Sequence, residues 1–444
     1  MCNRRRLGCG EKHSRQQPCL WCAGSRRSQG RSNLRKTMTT PALSIRPIAA
    51  APATRSEIGF FGGKPIFDVP LEIVRPRFPA LDTFGARFQD ALRSGNVTNN
   101  GRWVLEFERQ LTEYLGVPTA TFCNGQTAMM AMLRAAGIAG GEVIVPAFTF
   151  SATPHAVRWC NADPVFADVL PDSMCLDPAH VERKITSKTK AILGVDVYGI
   201  ACEYAELGEL ARRHGLKLLF DSAPAFGTRV DGRLVGGFGD AQMLSFHATK
   251  AFATMEGGCI CSHNDALLKR AKAIRNFGQD PVGDCDEAGI NGKLTEVCAL
   301  IGIEQLKAFE TAARARRRAA HRICAGLEVL PGLSLARPGS NQEPIWLYLP
   351  VVIDKCAYGL DRDATTVAFA KENLHVRKYY SPPCHHLKAY RGRQIEKLPH
   401  SEAIAYNVIA LPIYNDMTDA EADGIVRVFV DVHRESKRIA QALG

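Results

Sequence analysis

From about residue 55 the apolar positions switch back and forth between two spacings. Residues 106–114 carry them at helical spacing, residues 127–136 form a run of Met, Ala and Leu, and residues 204–214 repeat the helical pattern. Between these lie short, nearly continuous apolar runs at 142–148, 190–197, 216–220, 242–246 and 258–262, which read as strands buried on both faces. Strands alternating with helices predict an α/β fold, with a mostly parallel central sheet sandwiched by helices. Ligands collect at the carboxyl ends of such strands, so the residues there carry the chemical argument.

Beyond Asn291 the pattern changes. Residues 294–318 read as one long helix with no Pro and no Gly after Gly302, and a smaller α+β C-terminal domain is expected after it. The expected division is a basic tail over 1–45, a large α/β domain over 46–318 that includes the long helix, and a small domain over 319–444. No internal repeat is visible.

Charge changes this picture less than it first suggests. The chain of 444 residues has a net charge of +11, which alone would point to nucleic acid or an anionic surface. Residues 1–37 hold ten Arg and Lys against the single acid Glu11, so +9 belongs to the tail and only +2 to the remainder. The body is near neutral, and neither a nucleic-acid partner nor a membrane partner is expected. The tail, rich in Arg, Ser, Gly and Gln, lacks the apolar run of a signal peptide and the composition of a folding unit, and is expected to be disordered. A translation start at Met38 is an alternative origin for it.

Of 15 cysteines, Cys2, Cys9, Cys19 and Cys22 lie in the tail. The Cys19/Cys22 pair lacks a second well-spaced pair, so no metal site is expected. The other eleven are scattered through apolar segments and read as reduced thiols of a cytoplasmic protein. No apolar stretch reaches the roughly 18 residues of a membrane span.

Four features carry chemistry. The segment SFHATK at 245–250 places Lys250 just after a buried strand, with Gly257 and Gly258 before the next. A lysine in a desolvated site loses ammonium stability, which imine formation requires. Asp221 ends another strand and is followed by small residues, where an acid can keep a pyridine nitrogen protonated. The turn CNGQTA at 123–128 opens a helix, whose free N–H groups, with the Thr127 hydroxyl, suit a phosphate. Phe150, at the end of the 142–148 run, can stack on a ring. Singly, these read as a solvated lysine, a turn-capping acid, an N-cap by Asn124 or Thr127, and a core phenylalanine. Together they supply what a phosphorylated pyridine aldehyde needs.

At these residues the sequence resembles the DegT/DnrJ/EryC1/StrS family of sugar aminotransferases, over about residues 60–429. The resembling stretches are NGRWVLEFE (100–108), EVIVPAFTF (142–150), SFHATK (245–250) with EGG (256–258), NGKLTE (291–296) and Leu411-Pro412. The resemblance implies a fold type I transferase dependent on pyridoxal 5′-phosphate (PLP). It implies Lys250 as the residue that carries PLP and shuttles the proton, Asp221 on the pyridine nitrogen and Phe150 on the ring face. Gly125, Gln126, Thr127 and Ser245 would hold the phosphate, joined by Asn291 of the neighbouring subunit in an obligate homodimer. FFGGKP (60–65), PHAVRW (154–159) and KYYSPPCH (378–385) resemble the branch that aminates C4 of a dTDP-4-keto-6-deoxyglucose, with L-glutamate as donor. Lys378, Tyr379, Tyr380, His385 and His386 fall where that branch contacts the sugar; a polar surface loop and rim packing are the alternatives for them.

The chain departs from the family pattern twice. Pro224 stands three residues after Asp221, where Gln or His is usual near the ring hydroxyl, and has no side-chain donor. Gln126 replaces the usual Thr of the phosphate turn. The rival readings are amination of another keto sugar or cyclitol, dehydratase chemistry, which the intact Lys250 opposes, and a non-catalytic regulatory protein of the same fold.

Overall fold

The computed structural model describes residues 55, 57–280, 282–392 and 396–444. The expected basic tail and the Cys19/Cys22 pair lie outside the described residues. Helices α1 (Gly85–Ser94) and α2 (Arg102–Leu115) lead into β1 (Thr119–Phe122) and α3 (Gly125–Ala135). Then come β2 (Glu142–Pro146), α4 (Ala152–Trp159), β3 (Asp163–Ala167), α5 (Pro178–Lys184), β4 (Thr189–Val195), α6 (Tyr204–His214) and β5 (Lys217–Asp221). A small antiparallel excursion, β6 (Arg229–Val230) and β7 (Arg233–Leu234), precedes β8 (Ala241–Ser245), β9 (Gly258–Cys261) and α7 (Asp265–Arg275).

The main sheet has the order β1-β9-β8-β5-β4-β2-β3. Neighbours from β8 through β3 pair in parallel, while β9 runs antiparallel to both β8 and β1. This is the expected mostly parallel sheet, with one reversed strand that the apolar pattern could not reveal. Every residue of β4 except Lys190 is buried, and β8 is buried throughout, as strands covered on both faces must be. One face packs on α3, α4 and α7 through Met129, Met132, Val157 and Leu268. The other contributes Ile144, Ile192 and Phe220 to a core that continues into the C-terminal part through Leu349, Ile409 and Phe429.

The long helix α8 (Glu296–Leu327) runs past the expected end at residue 318. Within it, in the Arg-rich run at 314–318, Arg316 turns inward. Its Nη2 donates to the carbonyls of Trp346 and Leu347 at 2.7 and 2.9 Å, and its Nε to that of Ile345 at 3.3 Å. Beyond α8, β10 (Leu333–Leu335), β12 (Tyr348–Ile353) and β13 (Val408–Pro412) form an antiparallel sheet, while β11 (Gln342–Glu343) joins β6 and β7. Helices α9 (Lys355–Tyr358), α10 (Arg362–Ala370), α11 (Pro399–Asn407), α12 (Asp419–Arg434) and α13 (Ser436–Leu443) complete the chain.

Among the described residues no helix is long and apolar enough to cross a membrane. All cysteines there are unbridged; most are buried or half-buried, but Cys285 and Cys356 are exposed.

Candidate active site

The strand ends and one helix start converge on a cavity of about 390 Å³, within the roughly 300–1,000 Å³ typical of ligand pockets. Asp221, the last residue of β5, and Lys250, beyond β8, both line it. So do Gly125 and Gln126 at the start of α3, Phe150 after β2, and Pro224, Ser245, Tyr379 and Tyr380.

The loop that presents Lys250 is short and well anchored. The Lys250 N–H donates to the His247 carbonyl at 2.8 Å, closing a tight turn after β8. Phe246 and Phe252 on either side plunge into a ring cluster with Phe107, Phe226 and Phe309, Phe252 stacking on Phe226 at 4.4 Å. Aromatic burial on both flanks therefore fixes the backbone, leaving the lysine side chain directed into the cavity. Burial among protein atoms pushes the Lys250 amine below the usual lysine range, with the Asp221 carboxylate opposing that shift.

Asp221 is buried, and its surroundings push its carboxyl above the usual range. Thr153 Oγ1 donates to its Oδ2 at 2.7 Å, the Ala223 N–H donates to its Oδ1 at 3.2 Å, and the Lys250 charge acts in the same direction, against the burial. Thr153 lies in the first turn of α4, and nothing local in the sequence linked it to Asp221.

At the α3 terminus Asn124 is the N-cap, its side chain accepting from the Thr127 N–H at 2.8 Å and from the Thr127 hydroxyl at 2.9 Å. Gly125 and Gln126, whose amides have no intrahelical partner at the start of a helix, line the cavity. Gly125 has to be glycine: a Cβ there would lie 2.9 Å from Ser245 Cβ, and a Cβ on Gly258 would lie 2.8 Å from the Gly125 nitrogen. The helix start is thus pressed against the ends of β8 and β9, which brings the Ser245 hydroxyl beside it. Gln126 Oε1 is buried with no hydrogen-bond partner among the described residues.

Five expected residues stand apart from the cavity lining. The Thr127 hydroxyl is occupied by Asn124. Asn291 is exposed, although the next carbonyl, that of Gly292, accepts from the Cys123 N–H at 2.8 Å beside the phosphate turn. Lys378 pairs with Asp363 at 2.8 Å, and His385 Nε2 lies 3.3 Å from Glu402 Oε1. His386 joins that pair, bringing three ligand-capable atoms within 4.8 Å of one another.

Several lining residues carry no local signal: Met129, Thr149, Met243 and Tyr348. Tyr348 opens β12, about a hundred residues downstream of Lys250 in sequence, so only folding makes it a neighbour. Tyr380 stacks on Tyr198 at 6.0 Å and 19° and meets Phe150 at 6.0 Å, forming an aromatic wall with Tyr379.

The donor set fits PLP. An amine of lowered basicity, a buried carboxylate, a helix N-terminus beside a serine hydroxyl and the exposed ring of Phe150 are present in one pocket.

Comparison with known proteins agrees with this geometry. The model of the DegT/DnrJ/EryC1/StrS aminotransferase family matches residues 82–430. The chain is 30% identical over 365 residues to a dTDP-4-amino-4,6-dideoxy-D-glucose transaminase of Shigella dysenteriae, covering 82% of this chain and 99% of the relative. It is 32% identical over 353 residues to a GDP-perosamine synthase of Vibrio cholerae, covering 78% and 95%. Among solved structures, DesI in the presence of its TDP-sugar product superposes with a TM-score of 0.79 at 38% identity, over 85% of this chain and 96% of DesI. The chain is a PLP-dependent aminotransferase and belongs to the DegT/DnrJ/EryC1/StrS family.

Proposed function

We propose that this chain transfers the amino group of L-glutamate to the C4 keto group of dTDP-4-keto-6-deoxyglucose, giving dTDP-4-amino-4,6-dideoxyglucose. The observation that carries the reading is the meeting of Lys250, Asp221 and the α3 N-terminus in one cavity. The choice of sugar is supported by the likeness to the Shigella transaminase.

PLP, when bound, supplies an electron sink for the charge left at a carbon that has lost its proton. Lys250 is the amine that would attach it and, when not attached, hold and move the proton at the reacting carbon, and burial lowers its basicity. Asp221 would hold a proton on the pyridine nitrogen. Phe150 would cover a ring face, and Gly125, Gln126 and Ser245 would hold the phosphate, completed by the partner subunit's Asn291 in a homodimer. Pro224, in the same cavity lining, has no side-chain donor to offer the ring. Tyr379 and Tyr380 meet the sugar, while Lys378 and His385 brace that segment from outside through Asp363 and Glu402. In this reading the enzyme is cytoplasmic, with a cofactor-binding domain to residue 318 and a smaller domain from 319, bridged by α8.

The test is incubation of the PLP-loaded protein with L-glutamate and a panel of dTDP-, GDP- and UDP-linked keto sugars, with products identified by mass and NMR. The visible band of the lysine-bound cofactor should bleach with glutamate and return with the dTDP-4-keto sugar. A preference for a GDP-linked ketone would move the chain beside the Vibrio enzyme. A cofactor that ignores every amino donor would replace the enzyme reading by the regulatory one.

A further inference from the structure

We infer that Thr149 and Thr153 form a one-way relay of two hydroxyls that holds Asp221 ionised and oriented, which makes Thr153 a positioning residue for the reaction. The inference rests on the reading of Asp221 as partner of the cofactor nitrogen and extends it to two residues with no role so far.

Thr153 Oγ1 is 2.7 Å from Asp221 Oδ2 and 3.0 Å from Thr149 Oγ1. A hydroxyl has a single proton to give, and an ionised carboxylate can only accept. The Thr153 proton therefore goes to Asp221, and the proton between the two threonines has to come from Thr149. Donation runs from Thr149 to Thr153 to Asp221. Thr153 is fully buried behind the cavity wall, while Thr149 and Asp221, 2% and 5% exposed, lie in that wall. The Ala223 N–H occupies the other carboxylate oxygen.

The groups facing Asp221 leave this donor pair with much of the task. The Lys250 amine also lowers the carboxyl, as the last of the influences on it. Tyr380 also lies near the carboxylate, and burial holds its proton on; His247, Tyr348 and Tyr379 line the same cavity. Asp196 meets Asp221 only through the backbone, its N–H donating to the Asp221 carbonyl at 3.1 Å, while its own carboxylate faces Ser222, Tyr204 and the Cys202 N–H. Burial raises the Asp221 carboxyl, and Thr153 is foremost among the groups that lower it. Because Thr149 immediately precedes Phe150, the same turn sets the ring-covering side chain and the first hydroxyl of the relay.

The experiment compares wild type with Thr153→Val, Thr153→Ser, Thr149→Val, Asp221→Asn and the double variant Thr153→Val/Asp221→Asn, all loaded with PLP. PLP retention and the visible spectrum are followed against pH without substrate, and thermal melting reports folding. Removing the donor raises the carboxyl, so the acid limb of PLP retention in Thr153→Val should move up by about one pH unit, with retention below it weakened roughly tenfold. Thr153→Ser should overlay wild type, Thr149→Val should shift the same way by less, and the double variant should match Asp221→Asn alone. The relay is overturned by a folded Thr153→Val whose limb and spectrum coincide with wild type, or by a Thr153→Val effect that persists undiminished beside Asp221→Asn. If Thr153→Val does not fold, Thr149→Val decides: an unmoved limb rejects the relay. Wild-type retention and spectrum in Asp221→Asn would instead reject the assignment of Asp221.

Discussion

Asn415 donates from Nδ2 to the carbonyl of Ala251, the residue after Lys250, at 2.8 Å. Its Oδ1 in turn accepts from Arg316 Nη1 at 2.9 Å, and the same guanidinium holds the carbonyls at 345–347. A buried cation on α8 thereby ties the lysine's loop to the C-terminal part of the chain. Burial lowers the Arg316 guanidinium to about 10, so it remains charged at neutral pH.

Arg316→Met should cost more than the loss of one hydrogen bond, because several buried carbonyls lose their donor at about 1–3 kcal/mol each. Chemical denaturation should show a loss of about 3 kcal/mol or more, together with weaker PLP retention. Arg316→Lys should recover little, since a point charge does not reproduce the guanidinium fork. Stability equal to wild type in Arg316→Met would contradict the tie.

Lys250→Ala should fold with a normal melting temperature and lose the visible band of lysine-bound cofactor. Turnover should fall by at least the ~10²–10⁴-fold that a positioned proton carrier provides. Wild-type transamination by this variant would remove the lysine's role.

Gly125→Ala places a methyl 2.9 Å from Ser245 Cβ, where helix and strand end are in contact. The expected result is a destabilisation of about 1–3 kcal/mol and a displaced phosphate cradle, read as a higher Kd for PLP. Unchanged PLP affinity would mean that the amides of α3 do not hold the phosphate.

Asn291→Ala should leave the monomer's fold intact and weaken PLP retention, since Asn291 is exposed and outside its own chain's cavity. Mixing it with Lys250→Ala should produce hybrid dimers in which one site has both intact residues and the other neither. Recovery of part of the activity on mixing supports the shared site; none would leave Asn291 a surface residue.

Asp196 is fully buried and its carboxyl is pushed up to about 6 by that burial. A raised folded-state value means the protonated form is favoured by folding. This contribution is therefore complete below about pH 4 and lost as pH rises through about 6. Asp196→Asn should flatten the pH dependence of the melting temperature between these values by the equivalent of about 3 kcal/mol. An unaltered slope would place the titration elsewhere.

Lys250, Asp221, Phe150 and the turn at 123–128 were legible because each sits at a strand end or helix start, where local pattern fixes position relative to the sheet. The α/β order and mostly parallel sheet followed from apolar runs too short for helices, spaced by helical segments. Periodicity carries no strand direction, so the reversal of β9 was not legible. Nor was the end of α8, because a run of arginines looks the same whether it faces water or, like Arg316, a row of carbonyls.

The sequence by itself determined which side chains could do the chemistry and where the backbone would present them. Only the tertiary structure decided which of them meet. Thr153 reaches Asp221 across 68 residues, Tyr348 arrives from a later sheet, and Lys378 and His385 turn away to Asp363 and Glu402. The reason is physical: local spacing sets the face on which a side chain lies, but contacts between distant elements depend on how sheet and helices pack, and no short stretch of sequence encodes that.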